Sequence, residues 1–434
     1  MSGTISKVDL VDALEDCERR FANANPNSAR RHREAMSALP GGNTRTGLHY
    51  SPFPIAFESA ESQRLTDIDG HVYTDFLGDY SAGLYGHSHP TIMAAARTAL
   101  DHGLVFGGPN QHEAEFADLL KARFPSVDLL RFTNSGTEAN LMAMAMACEL
   151  TRRNHIYVFE GGYHGSVLNF RGNGPLNVPF PYLIGTFNNV ERSLGEIERN
   201  KDKIAAVFVE PMLGGAGAIP GSSEFLNALR YITTKHGILL VFDEVMTSRL
   251  APGGIQEIEG IRPDITTFGK YLGGGFPFGA FGGSAEFMER FDPVSNRKLD
   301  HPGTFNNNTI TMAAGAAGLR EIYTQDVAVA HNLRGDTLRE TLNTLFAEKG
   351  VAMQATGIGS LLNIHFQRTA IATVGDIVPQ EPKRALFQLA MLARGYYVSR
   401  RGYIALSLPI RESDLEGFVS AAGEVVDQYR SLFQ

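Results

Sequence analysis

"ITTFGKYLGGGFPFGAFGG", residues 265–283, sets a single lysine, Lys270, between an apolar strand-like run and a cluster of glycines. On a protein surface such a lysine is a solvated charge whose stem snorkels along apolar neighbours. At the mouth of a sheet, facing a glycine turn, it has a second reading. Burial eases the loss of its proton and leaves an amine able to form a Schiff base with an aldehyde. Which reading holds depends on what the rest of the chain brings to the same place.

Five apolar runs punctuate the middle of the chain: "LLRFTNSG", "HIYVFEGG", "IAAVFVEP", "GILLVFDE" and "ITTFGK", with the helical pattern "EANLMAMAMACELTRR" after the first. Buried runs separated by helices imply a mostly parallel sheet covered on both faces, an α/β fold. Ligands bind such sheets beyond the carboxyl ends of the strands. The residues expected there are Ser135, Gly136 and Thr137, then Tyr163 and His164, Glu210, Asp243 and Lys270.

Each of these also has a plainer role. Ser135-Gly136-Thr137 precedes Glu138 and reads as a helix N-cap with acidic first-turn support. The same N–H groups and hydroxyls make an anion site suited to phosphate. Asp243 closes the apolar run "GILLVF", where a carboxylate needs a donor or a cation; it can cap a helix or pair with Arg249. Together, a phosphate site, an acid for a ring nitrogen and an amine for an aldehyde are what pyridoxal 5′-phosphate requires. Tyr163 then offers an aromatic face for stacking on the cofactor ring.

The flanks look different. "ARRHREAMSAL" (residues 29–39) reads as a helix stopped by "PGGN", and "PIAFESA" and "RLTDIDGHVYTDFL" read as strands with a hairpin signal at Asp69-Gly70. From about Thr311 come two helical patterns, the strand-like "GSLLNIHFQ" and "GYIALSLP", and a closing helix from Glu412. The expected division is 1–75 as an N-terminal segment of a small domain, 76–310 as the large domain, and 311–434 as an α+β C-terminal domain.

At 434 residues and 43% hydrophobic composition the chain has ample material for two cores. A net charge of −8 without a Lys/Arg-rich run argues against nucleic acid as a partner. Cys17 and Cys148 form no CxxC spacing, which fits a reducing, cytoplasmic setting, and no run approaches the roughly 18 apolar residues of a membrane span. A P-loop is absent, and "GGGFPFG" lacks GxGxxG spacing. His87 and His89 in "GHSHP" could ligate a metal, against a capping or packing role before Pro90; no carboxylate or thiol cluster joins them at ligand spacing.

"RFTNSGTEANLMA", "YHG", "VEP", "VFDEVMTSR", "FGKYLGGGFPFGAFGG" and "HPGTFNNN" resemble, in order and spacing, the class III (fold type I) pyridoxal-phosphate aminotransferases. The likeness runs from about Ala29 to the C-terminus. It is nearest to the glutamate-1-semialdehyde aminomutase-like branch, and within it to the β-amino acid (β-phenylalanine) aminotransferases. It implies a large domain with a mostly parallel seven-stranded-type sheet flanked by helices, and a smaller α+β domain from both chain ends. Lys270 resembles the lysine that carries the cofactor, Asp243 the partner of the pyridine nitrogen, and Ser135, Gly136 and Thr137 the phosphate cup. Tyr163 is similar to the stacking ring, Val245 to the residue packing the opposite face, and Glu210 to one near the ring's hydroxyl side. Thr304 in "GTF" resembles a threonine that reaches the phosphate held by the other subunit, which implies a homodimer with a shared active site.

The resemblance also implies a substrate class. Arginine grips carboxylates bidentately, and Arg45 in "PGGNTRTG" and Arg401 in "VSRRGYIALSLP" stand in contexts similar to carboxylate-binding arginines of β-amino acid aminotransferases. The doublet with Arg400 leaves open which of the two serves, and a surface salt bridge is the plainer role for each candidate. Asp79, Tyr80 and Tyr85 in "GDYSAGLYGHSHP" are candidates to line the pocket, with a core role the alternative for the two tyrosines. Transfer from a β-amino acid, such as the aromatic β-phenylalanine, to a 2-oxo acid such as 2-oxoglutarate is the activity implied. The alternatives are glutamate-1-semialdehyde 2,1-aminomutase, another class III ω-amino acid or amine transaminase, or a silent cofactor-binding protein. "NLMAMAMACEL" and "GTFNNN" depart from the aminomutase pattern and favour the transaminase.

Overall fold

The five apolar runs of the middle of the chain, joined by two further strands, build one seven-stranded sheet in a computed structural model that describes residues 7–434. Its strands are β1 (Leu129–Thr133), β2 (His155–Phe159), β3 (Tyr182–Gly185), β4 (Ile204–Val209), β5 (Leu239–Asp243), β6 (Ile265–Gly269) and β7 (Gly279–Gly283). Their order is β1-β7-β6-β5-β4-β2-β3. All neighbours run parallel except β7, which is antiparallel to both β6 and β1.

Strands β4 to β7 are wholly buried, as expected for strands covered on both faces. The helix Gly136–Thr151 contributes Ala139, Ala143, Met144 and Ala147 to a core shared with Ile156, Val158, Phe208, Val241 and Phe281. Alanines on that face let the helix axis approach the sheet closely, and methionines fill the remaining gaps.

The chain divides into two compact units. The large unit is Pro90–Leu333 with Ile371–Asp376; the small unit takes the chain up to His89, then Arg334–Ala370 and Ile377–Gln434. The expected boundaries at 75/76 and 310/311 therefore move to 89/90 and 333/334. Residues 76–89 stay with the C-terminal strands because Ala405 N–H donates to Phe76 O at 2.9 Å and Leu408 N–H to Leu84 O at 2.8 Å. Residues 311–333 stay with the large unit because the small-residue helix Thr309–Ala317 is almost wholly buried there. A methyl on Gly274 would stand 2.8 Å from Ala314.

Within the small unit, the Asp69-Gly70 hairpin joins Arg64–Asp67 to Val72–Asp75 in an antiparallel sheet that begins at Phe57–Glu61. Tyr396–Tyr397 adds a fourth strand in parallel. A second sheet pairs Gln354–Ile358, Leu361–His365 and Tyr403–Ala405, all antiparallel. Helices Lys7–Ala24, Glu381–Leu392 and Glu412–Gln428 enclose the core, where Phe76 stacks on Phe418 with centroids 4.2 Å apart. No helix among the described residues is long and apolar enough to cross a membrane.

Candidate active site

Five of the expected site segments meet beyond the carboxyl ends of the large sheet. Ser135 caps the helix Gly136–Thr151, its Oγ accepting from Glu138 N–H at 3.2 Å. The first N–H groups of such a helix have no intrahelical acceptor and face outward. Close packing surrounds this turn: a methyl on Gly136 would stand 2.8 Å from Val245 Cγ2, and one on Gly269 would stand 3.0 Å from Val245 Cγ1 and 3.5 Å from Gly136 Cα. Glycine at 136 and 269 lets the three segments approach this closely without displacing Val245. Gly165 lies against Thr137 in the same way, which brings the Tyr163-His164 turn to the cup.

Asp243, at the end of β5, is buried and fully engaged. Its Oδ2 accepts from Asn140 Nδ2 at 2.8 Å and from His164 Nδ1 at 2.7 Å, and its Oδ1 accepts from Val245 N–H at 3.0 Å. Asn140 is in turn oriented by Thr267, whose hydroxyl donates to Asn140 Oδ1 at 2.6 Å, and by His164 O, to which Asn140 Nδ2 also donates. This supplies what a buried carboxylate needs, donors on both oxygens. Burial alone would lower the His164 pKa. The hydrogen bond and charge of Asp243, aided by the charge of Glu210, outweigh it and raise it above 6.5.

Glu210, just past β4, accepts from Tyr163 N–H through Oε1 at 2.8 Å and from Gly214 N–H through Oε2 at 3.1 Å. Burial pushes its carboxyl up to about 7, opposed by His164 and those two N–H groups and reinforced by Asp243. The same bond to its backbone fixes where Tyr163 leaves the sheet, and the residue remains 37% exposed.

Lys270 follows β6 with φ 55°, a left-handed conformation that costs a non-glycine residue about 1 kcal/mol. Strain of this kind persists where the surroundings over-determine it and clusters at functional sites. Here the flanking segments are wholly buried, Ile265–Gly269 before and Tyr271 to Gly273 after, while Lys270 is only partly so. Thr304 is exposed in the turn after His301; two residues on, Asn306 Oδ1 accepts from Asn134 Nδ2 at 3.1 Å, beside the Ser135 cap.

Arg45 and Arg401 belong to the small unit, where they converge on one loop. Arg45 Nη1 donates to Asp79 Oδ1 at 2.7 Å, and Arg401 lies over the Tyr80 ring at 5.7 Å. A methyl on Gly47 would stand 3.0 Å from Arg401 Nη2, and Tyr80 Oη donates to Gly47 O at 2.7 Å. The loop is unusual: Gly78, Asp79, Tyr80 and Ser81 all have positive φ. Arg400 is used otherwise, donating to Gln388 Oε1 at 2.8 Å and Ser51 O at 2.7 Å. Tyr85 is buried. His87 Nε2 lies 3.0 Å from Asp75 Oδ2, an acid that also accepts from Leu77 and Gly78 N–H.

Three residues of this network escaped the sequence reading: Asn140, His164 as a partner of Asp243, and Thr267. Asn140 could have been found as the lone amide in the apolar helical run after Ser135. His164 stands at a strand end but carries no signal of its partner.

These donors fit pyridoxal 5′-phosphate: helix N–H groups and hydroxyls for a phosphate, a buried carboxylate held by three donors for a pyridinium, and a strained lysine beside both segments. The family model for class-III aminotransferases matches residues 47–171 and 177–411. The β-phenylalanine transaminase of Variovorax paradoxus is 48% identical over 98% of both chains. The crystal structure of a β-phenylalanine aminotransferase from the same species superposes with a TM-score of 0.96 at 47% identity, covering 98% of this chain and 99% of that one. A transaminase structure with pyridoxal phosphate bound gives 0.87 at 30% identity, over 94% and 99%. With matches of this extent behind the geometry, the chain belongs to the class III aminotransferases and is a pyridoxal-phosphate-dependent transaminase.

Proposed function

We propose that this enzyme takes its amino group from a β-amino acid with an aromatic side chain, such as β-phenylalanine, and passes it to a 2-oxo acid such as 2-oxoglutarate. The observation that carries this reading is the convergence of Arg45 and Arg401 on the Asp79-Tyr80 loop, two guanidinium groups for two substrates that share a carboxylate. The 48% identity to a β-phenylalanine transaminase supports the donor class. The hydrogen bonds of Arg400 to Gln388 and Ser51 support Arg401 as the substrate-binding member of the doublet.

When bound, the cofactor supplies an electron sink through which an amino group leaves one carbon and joins another. The chain's own residues hold and move protons around it. Ser135, Gly136 and Thr137 bind the phosphate; Asp243, oriented by His164 and Asn140, keeps a proton on the pyridine nitrogen. Tyr163 and Val245 pack the two ring faces, and Glu210 orders the hydroxyl side. Lys270 Nζ would hold the cofactor at rest and, once the donor's amine displaces it, would take the proton from the donor carbon bearing nitrogen and, in the second half of the cycle, give one to the acceptor carbon.

A homodimer completes the proposal, with Thr304 of each protomer serving the other's phosphate site. Exposed Leu104, Val105, Phe106 and Phe305 support it. The two segments that carry them are tied together, since Asn307 Nδ2 donates to Gly108 O and Asn110 Nδ2 to Asn307 O. Apolar side chains gathered this way are what an interaction surface offers, which supports its being covered by a second copy. The two free cysteines, Cys17 and Cys148, support a cytoplasmic setting.

The test is a donor screen on the holoenzyme. Glutamate should form from β-phenylalanine plus 2-oxoglutarate faster than from α-amino acids or plain amines, and Lys270→Ala should abolish it. Conversion of glutamate-1-semialdehyde to 5-aminolevulinate with no acceptor present would show an aminomutase instead.

A further inference from the structure

After β2 the chain doubles back, Gly161 N–H donating to Phe170 O at 2.9 Å and Phe170 N–H to Gly162 O at 2.8 Å. Tyr163 thereby faces Asn169 in an isolated antiparallel bridge. Two residues beyond Asn169, the guanidinium of Arg171 lies over the Tyr163 ring, 4.7 Å from its centroid.

Arg171 is itself fixed from several sides. Its Nη1 donates to Gly215 O at 3.0 Å, and its Nε and backbone N–H donate to Asn169 Oδ1 at 3.3 and 3.1 Å. Asn177 locks Asn169, accepting its N–H at 2.7 Å and donating to its carbonyl at 3.0 Å. On the Gly215 side there is no slack, since a methyl there would stand 2.9 Å from Arg171 Nη1. The guanidinium is therefore held by groups other than the ring, and the partly exposed ring packs against it.

We propose that Arg171 is a positioning residue for the cofactor site: it holds the Tyr163 ring in the plane that receives the cofactor ring. This rests on the reading of Tyr163 as the stacking residue. A phenol side chain free to turn must be ordered each time the cofactor binds, whereas a ring held by a fixed cation is already in place.

The test is a double-mutant cycle read on cofactor dissociation from the holoenzyme and on the visible circular dichroism of the bound cofactor. Arg171→Met should raise the cofactor Kd roughly three- to tenfold and weaken the dichroic band. Arg171→Lys should fall between Met and wild type. In a Tyr163→Ala chain, Arg171→Met should add nothing, because the ring it acts through is gone. A Kd unchanged by Arg171→Met while Tyr163→Ala raises it overturns the proposal. So does an equal loss in both backgrounds, which would place Arg171's role in the loop and not in the ring. A Kd and spectrum unmoved by Tyr163→Ala would instead sink the stacking role of Tyr163, and the proposal with it.

Discussion

His164 Nδ1 donates to Asp243 Oδ2 across 2.7 Å, and both side chains are buried. The pair accounts for more than packing. Asp243 alone would be a carboxylate among apolar strands, and His164 with Asn140 supplies the donors that its Oδ2 needs there.

Replacing His164 with leucine should therefore cost about 3 kcal/mol of stability, the usual consequence of breaking one side of a buried pair. The cost should depend on pH. The His164 pKa is raised in the fold, so its contribution is complete below the unfolded value of 6.5 and fades as pH rises through the folded value. Thermal midpoints of both chains at about pH 6 and about pH 9 should show the gap narrowing in alkali. A gap that widens in alkali would mean that Asp243 is not sustained by a charged His164.

Glu210 titrates in the same cluster. Burial lifts it from 4.5 to about 7, so the stability it contributes is present below the lower value and is lost as pH rises through the upper one. Glu210→Gln removes the titration and keeps a side-chain oxygen for Tyr163 N–H. The variant's thermal midpoint should fall less steeply than wild type between about pH 5 and about pH 8. Equal slopes would assign the titration to another group.

Steric fit at the cup gives a prediction with its own rescue. Gly136→Ala sets a methyl 2.8 Å from Val245 Cγ2, an overpacking that should cost about 1–3 kcal/mol and weaken cofactor retention. Val245→Ala in the same chain should restore part of both, because it removes the atoms that are struck. Retention in the double variant is measured by dialysis of the loaded enzyme; if it is no better than in Gly136→Ala alone, helix propensity or another contact is responsible.

The contrast between Lys270 and Asn140 explains how much was legible in the sequence. Lys270, Asp243 and Ser135 each sit at the end of an apolar run, and strand ends in a parallel sheet converge whatever the loops do. Asn140, His164 and Thr267 gain their roles only through partners 103, 79 and 127 residues away along the chain. No local pattern encodes such pairs. Strand β7, "GAFGG", was hidden for a related reason: glycine disfavours strands, yet a side chain at Gly279 would overlap Ser135 O and Thr133. The short edge strand β3 follows a proline-rich stretch and exposes Ile184, so it lacks the continuous burial that marked its neighbours. The two units divide at positions other than those expected because composition shows where patterns change, and not which sheet a connecting segment bonds to.

Arg45 and Asp79 form the pair most open to a kinetic test. Their 2.7 Å bond is half exposed on both sides, a setting in which an ion pair is worth about 0.2–1 kcal/mol. Four successive left-handed residues hold Asp79 in place, so the acid is presented to Arg45 by the backbone and does not simply drift to it. If Arg45 binds the donor's carboxylate, Asp79 competes with that carboxylate for the same guanidinium. Asp79→Asn should then lower the KM for a β-amino acid by roughly two- to fivefold, leave the KM for a neutral amine donor unchanged, and hardly move the thermal midpoint. Arg45→Ala should do the reverse, raising the carboxylate KM while again sparing the amine. Equal changes for the two donors in either variant would remove Arg45 from carboxylate recognition and leave its bond to Asp79 as a loop tether alone.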